Sequence, residues 1–255
     1  MIGLEKAFKK EKTSFIPYIT AGYPKKDSTV SLLLALQRGG ADVIELGVPF
    51  SDPLADGETI QQANTDALKN GVTMKDCLGY VEEARKKGLV VPVVLMGYFN
   101  PFLQYGLEDF LKECDRVGVQ GLIVVDLLFG EAKDFLDLCK KYRVNFIPLI
   151  APTSTEERIA KIAEIASGYV YCVSLTGVTG ARTELPADLQ TFIERVRKHI
   201  KLPIAVGFGL STREHYLSVG KFADGAVMGS AIIRAVRDND DAKKLESFVK
   251  SIVEG

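Results

Sequence analysis

Apolar residues in this chain fall into short runs separated by longer amphipathic stretches, and the two kinds alternate from one end to the other. The runs at 14–20, 43–46, 91–96, 121–125, 144–150, 169–173, 204–206 and 225–228 are rich in Val, Ile, Leu and aromatic residues. Most lack polar alternation, which predicts strands buried on both faces. Between them the helical period predicts helices near 28–39, 74–87, 107–117, 130–141, 155–166, 188–199, 211–219 and 240–253. Thr155-Glu156-Glu157 and Ser211-Thr212-Arg213-Glu214 carry start signals for two of these. A short amphipathic helix is expected over 4–10, and an additional helix over 59–70. Eight strands each followed by a helix, without a linker or a break in composition, predict an α/β fold: a single (β/α)8 TIM barrel, one domain over residues 1–255. An open doubly wound sheet is the competing arrangement, but no G-x-G-x-x-G follows the first strand.

Composition narrows the function classes. The 255 residues are 47% hydrophobic and 25% charged, with a formal net charge of −1 and no basic stripe or acidic tail. Neither nucleic acid nor an anionic membrane is an expected partner. No apolar run reaches membrane-spanning length, and the charged segment 1–13 lacks the apolar core of a signal peptide, so a soluble cytoplasmic protein is expected. Cys77, Cys114, Cys139 and Cys172 are widely spaced without a C-x-x-C and read as buried or half-buried thiols. His199 and His215 are the only histidines, and both lie in stretches that read as helical. That leaves little for a histidine triad, and no metal site is expected.

The chemistry gathers at strand exits, the end of a parallel barrel where active sites sit. Ile44-Glu45-Leu46-Gly47-Val48-Pro49-Phe50-Ser51-Asp52-Pro53-Leu54-Ala55-Asp56-Gly57 begins as an apolar strand and breaks into an acidic loop. Asp52 reads as a turn residue, and Asp56 as either a cap or a functional group. Glu45 differs, because a Glu inside an apolar strand end is costly to bury without a purpose or a partner. Two further exits, Val206-Gly207-Phe208-Gly209-Leu210-Ser211 and Met228-Gly229-Ser230-Ala231, lead glycines into helix starts, a pairing suited to binding phosphate. The Gly/Thr-rich stretch from Ser174 to Thr183 has the composition of a lid whose backbone, at Gly180 for instance, would reach the phosphate; a plain surface loop is equally compatible. No strand carries a lysine at its carboxyl end for a Schiff base. Proton chemistry by carboxylates on a phosphorylated substrate remains, with Glu45 and either Asp56 or Asp126 as the groups. Tyr18, Tyr98, Phe99, Tyr171 and Phe208 near the same end permit a flat apolar substrate.

Five motifs then come together: Phe15-Ile16-Pro17-Tyr18-Ile19-Thr20-Ala21-Gly22-Tyr23-Pro24, the acidic loop from Glu45 to Gly57, Met96-Gly97-Tyr98-Phe99-Asn100-Pro101, Gly177-Val178-Thr179-Gly180 and Gly207-Phe208-Gly209. In order and over essentially the whole chain they resemble the tryptophan synthase alpha chain. The resemblance implies a lyase of tryptophan biosynthesis that cleaves indole-3-glycerol phosphate to indole and glyceraldehyde 3-phosphate without a cofactor or metal. It implies Glu45 as the acid/base that protonates indole carbon 3, and Asp56 as the group facing the indole N–H. Phosphate contacts map to Gly180, Phe208, Gly209, Gly229 and Ser230. The indole pocket maps to Tyr18, Ile60, Tyr98 and Tyr171, with Thr179 tying the closed lid to Asp56. The implied partner is a tryptophan synthase beta chain, which carries pyridoxal phosphate and completes a heterotetramer. The chain departs from the family pattern at Glu58 and at Leu128-Phe129-Gly130, where prolines are usual, in loops that meet the beta chain in the family. Three readings follow: an alpha subunit working in a complex; a stand-alone lyase, natural or engineered; or a catalytically minor subunit that activates a beta chain.

Overall fold

The computed structural model describes residues 3–8, 11–127, 132–173, 188–207, 209–238 and 241–255. Its strands are β1 (Ser14–Thr20), β2 (Ile44–Gly47), β3 (Val93–Gly97), β4 (Gly121–Val124), β5 (Asn145–Phe146), β6 (Leu149–Ile150), β7 (Val170–Val173), β8 (Ile204–Gly207) and β9 (Gly225–Met228). All pairings are parallel, in the order β5-β4-β3-β2-β1-β9-β8-β7-β6. The two ends of that order are halves of one predicted strand, interrupted at Ile147-Pro148. β5 pairs with β4 and β6 with β7. The interruption still bonds both neighbours, because Ile147 N donates to Leu122 O (2.9 Å) and Tyr171 N donates to Pro148 O (3.1 Å). Proline has no N–H to give the ladder, which splits the strand without opening the barrel.

The helices are α1 (Thr29–Gly39), α2 (Glu58–Lys69), α3 (Met74–Lys86), α4 (Phe99–Tyr105), α5 (Leu107–Val117), α6 (Lys133–Lys141), α7 (Glu156–Ile165), α8 (Leu189–Arg197), α9 (Arg213–Val219), α10 (Ser230–Asp238) and α11 (Ala242–Val253). The expected helix over 4–10 is instead a single 3-10 turn, Leu4–Ala7, with Leu4 and Ala7 buried. Two helices lie outside the spans given by the helical period, although the Gly229 exit reads as leading into one of them. α4 holds Pro101 in its first turn, where a missing N–H costs nothing, and α10 follows directly on β9 at Gly229. Thr155 and Thr212 cap α7 and α9 through their hydroxyls, as their start signals predict.

Alternation along each strand divides the core in two. Phe15, Ile19, Ile44 and Leu46 face the helices. Ile16, Val43, Val94, Ile123, Tyr169 and Val227 fill the barrel interior as a separate cluster, closed by Leu4 and Ala7. Each fully buried aliphatic side chain contributes about 1.5–3 kcal/mol, so this layer makes a rigid floor for whatever lies above it. The four cysteines are free and buried. No described helix is long and apolar enough to cross a membrane.

Candidate active site

Glu45 lies in the middle of β2, in register with Tyr18 of β1 and Val94 of β3. Two residues on, Gly47 leaves room for the Tyr18 ring: a Cβ there would lie 2.0 Å from the Tyr18 hydroxyl oxygen. Across the barrel, Gly207 of β8 does the same for Tyr171 of β7, at 1.9 Å. Thus two tyrosines fold over two glycines, above the interior layer and around Glu45. The Glu45 side chain is fully buried. Its Oε1 accepts a hydrogen bond from the Tyr169 hydroxyl at 2.7 Å, while Oε2 is buried without a partner among the described residues. Burial pushes the Glu45 carboxyl up to about 8, and the Tyr169 hydrogen bond draws it part of the way back.

Asp56 approaches from the loop between β2 and α2. Residues Ser51, Asp52, Leu54 and Ala55 are exposed at the loop's crest, but Asp56 itself is half-buried. Its Oδ2 accepts from the Tyr98 hydroxyl (3.3 Å) and from Asn64 Nδ2 (3.5 Å). The Tyr98 hydroxyl also accepts from Ala55 N (2.9 Å), and its ring stacks on Phe50 with centroids 4.9 Å apart. Burial raises the Asp56 carboxyl to about 6 against the lowering effect of those two hydrogen bonds. Tyr18 and Tyr171 feel the charges of both Asp56 and Glu45, and burial keeps both phenols neutral far above neutral pH. Glu45, Asp56, Tyr18, Tyr98 and Tyr171 therefore form one cluster within electrostatic reach of one another.

The remaining candidates divide. Ile60, in the first turn of α2, reaches Gly229: a Cβ on that glycine would lie 3.5 Å from Ile60 Cδ1 and 3.8 Å from Tyr18 Cβ. Gly229 follows β9, and its carbonyl accepts from Ile233 N in the first turn of α10, which starts at Ser230. Gly209, just past β8, has φ +53° with open space where a side chain would project. Phe208, Thr179 and Gly180 lie outside the described residues, as does Leu128-Phe129-Gly130. Asp126 is taken up by the backbone, its Oδ1 accepting from Phe99 N at 2.7 Å at the start of α4. Phe99 packs edge-on against Phe135 in the core. Asp52 stays on the exposed crest, bonded to the Ser51 hydroxyl. His199 pairs with Glu156, and His215 Nδ1 accepts from Ser211 N, so both serve helix ends. Glu58 is the exposed first residue of α2, where its charge suits the helix dipole and where a proline would have forfeited no helical hydrogen bond.

Two residues of the site were not singled out from the sequence. Tyr169 reads there only as the start of a strand, although its spacing of two from Tyr171 puts both on one face. Asn64 reads as one polar position among several in α2, and nothing local marks its bond to Asp56.

The whole chain also has known relatives. A family model described as tryptophan synthase alpha chain matches residues 4–253. The tryptophan synthase alpha chain of Roseiflexus castenholzii is 49% identical over 228 residues, covering 89% of this chain and 87% of that one. Among solved structures, a chain of Mycobacterium tuberculosis tryptophan synthase superposes with a TM-score of 0.91 at 34% identity, covering 98% of this chain and 96% of that one. A mutant tryptophan synthase alpha-subunit from the hyperthermophile Pyrococcus furiosus gives 0.87 at 40% identity, covering 94% and 97%. With its barrel, its acidic loop and its family match running nearly from end to end, the chain belongs to the tryptophan synthase alpha chain family.

Proposed function

We propose that this chain catalyses the alpha reaction of tryptophan synthase, the cleavage of indole-3-glycerol phosphate to indole and glyceraldehyde 3-phosphate, as a carbon–carbon lyase. Beyond the family match, the observation that carries the reading is a fully buried Glu45 carboxyl in the strand and a half-buried Asp56 carboxyl on the loop beside it, held by two side-chain donors. Burial raises both, Glu45 to about 8 and Asp56 to about 6, which places the proton donor of this reading on Glu45 and the anion on Asp56. Two carboxyls tuned apart in this way can divide acid and anion roles between them.

In this reading Glu45 delivers its proton to indole carbon 3, from the Oε2 that has no partner among the described residues. The ring becomes a cationic indolenine, and the Asp56 carboxylate opposes the charge that develops at the ring nitrogen. Glu45, now ionised, takes the proton of the side-chain hydroxyl. The bond to carbon 3 breaks, its electron pair restores the aromatic ring, and the hydroxyl carbon leaves as the aldehyde. Protons balance, and the ring itself is the electron sink that a Schiff-base lysine supplies in other aldolases. Tyr18, Ile60, Tyr98 and Tyr171 are assigned to the indole pocket. Gly209, Gly229 and Ser230 are assigned to the phosphate, at the start of α10. By the family resemblance Gly180 and Phe208 are assigned to the phosphate as well, and Thr179 to the lid.

The chain works with a tryptophan synthase beta chain in a cytoplasmic complex, the pyridoxal phosphate residing on the partner. Indole release from indole-3-glycerol phosphate by the purified chain, with and without an added beta chain, tests the reading. Indole formation accelerated by the beta chain is expected. Absence of cleavage in both conditions contradicts it.

A further inference from the structure

Asn64 is 2% exposed, an uncommon degree of burial for an asparagine, and each end of its amide is engaged. Nδ2 donates to the carbonyl of Ile60, one turn earlier in α2 (3.0 Å), and to Asp56 Oδ2 (3.5 Å). Oδ1 accepts from Phe50 N at 3.3 Å. One side chain therefore ties the beginning of the acidic loop to its end. Phe50 in turn stacks on Tyr98, and the Tyr98 hydroxyl bonds Asp56 Oδ2, which closes a ring of contacts. Both donors converge on the same carboxylate oxygen.

We propose that Asn64 is a positioning residue for the alpha reaction: it fixes Asp56 through Oδ2 so that Oδ1 is the oxygen presented to the indole N–H. The inference rests on the function proposed above. The contact at 3.5 Å is long, of the kind that tightens when a substrate fixes the carboxylate. An amide donor on a carboxylate also favours its charged form. Among the described residues, the titratable groups facing Asp56 are Tyr18, Tyr98 and Tyr171, each held neutral by burial, and Glu45 faces the same Tyr18 and Tyr171. Among the described residues, the hydrogen bonds from Tyr98 and Asn64 are what oppose the desolvation of Asp56. Loss of Asn64 therefore moves the Asp56 titration upward.

The test titrates Asp56 directly, by infrared difference spectra of the carboxyl band between the chain and its Asp56→Asn variant, repeated with Asn64→Leu and Asn64→Asp. Asn64→Leu removes the amide with little change of volume, and Asn64→Asp puts a like charge in its place. The Asp56 midpoint is expected to rise by roughly half a unit or more in Asn64→Leu and further in Asn64→Asp. The acid limb of indole formation should move with it, and kcat should fall by about tenfold with a smaller change in KM. A midpoint that stays in place, with activity reduced evenly at all pH, makes Asn64 only a structural clip and overturns the proposal. Asn64→Ser, a smaller change, serves the same comparison if Asn64→Leu does not fold. The spectra need no turnover, so an unmoved Asp56 counts against Asn64, whereas a chain that releases no indole counts against the alpha reaction.

Discussion

Glu45 and Asp56 are both carboxyl groups withdrawn from water, but the fold holds them by different means. Glu45 is part of a strand, locked between β1 and β3, and its surroundings are set by the barrel's own alternation of residues. Among the described residues it has one hydrogen bond and one bare oxygen, and burial raises its pKa to about 8. Asp56 sits on a loop whose crest is open to solvent, Leu54 being 90% exposed, and it is held by two side-chain donors from α2 and the end of β3. Burial raises both, further for the fully buried Glu45, to about 8, than for the half-buried Asp56, to about 6, where two donors also oppose it. An acid can be built from the rigid scaffold by desolvation alone. An anion in the same cavity needs a supporting shell, and that shell reaches across long stretches of sequence.

The largest break in this comparison comes from removing either carboxyl. Glu45→Gln and Asp56→Asn should each lower kcat for indole formation by about a hundredfold or more, with circular dichroism and thermal unfolding showing the fold retained. Next in size are the glycines under the tyrosines. Gly47→Ala or Gly207→Ala forces a tyrosine ring into the cavity and should raise KM by roughly tenfold, read by steady-state kinetics. Tyr169→Phe sharpens the contrast from the acid side. It removes the hydrogen bond that lowers Glu45, so the alkaline limb of the rate profile should move to higher pH, with less than about a tenfold change at neutral pH.

A smaller effect lies in stability. The folded chain holds the Glu45 proton up to about 8, against 4.5 in the unfolded chain, so the native state binds more protons between those values. Stability should be greatest below that window, decline as pH rises through it and level off above it; Glu45→Gln should remove that component of the decline in denaturant titrations. Asp56, raised from 3.8 to about 6, adds a similar decline at lower pH.

Most of the barrel was legible because buried parallel strands leave continuous apolar runs, and the acidic loop was legible because Glu45 stands out against one. The break at Pro148 was not, since Val144 to Ile150 reads as one apolar run and only the pairing shows two halves. α4 was hidden in Tyr98-Phe99-Asn100-Pro101, which carries the residues of a turn. Asp126 was nominated for chemistry because a carboxylate at a strand exit has the same local signature whether it meets a substrate or, as here, the Phe99 N–H. Tyr169 and Asn64 act on residues 124 and 8 positions away, and no periodicity reports such contacts.

The opposed protonation states of Glu45 and Asp56 are tested most directly by the pH dependence of kcat/KM for indole release. The two carboxyls as placed here predict a bell, with an acid limb near about 6 from Asp56 and an alkaline limb near about 8 from Glu45, the latter absent from the residual activity of Glu45→Gln. A rate that continues to climb well above the Glu45 value would mean that the reaction uses an ionised Glu45 from the start, and would contradict the assignment.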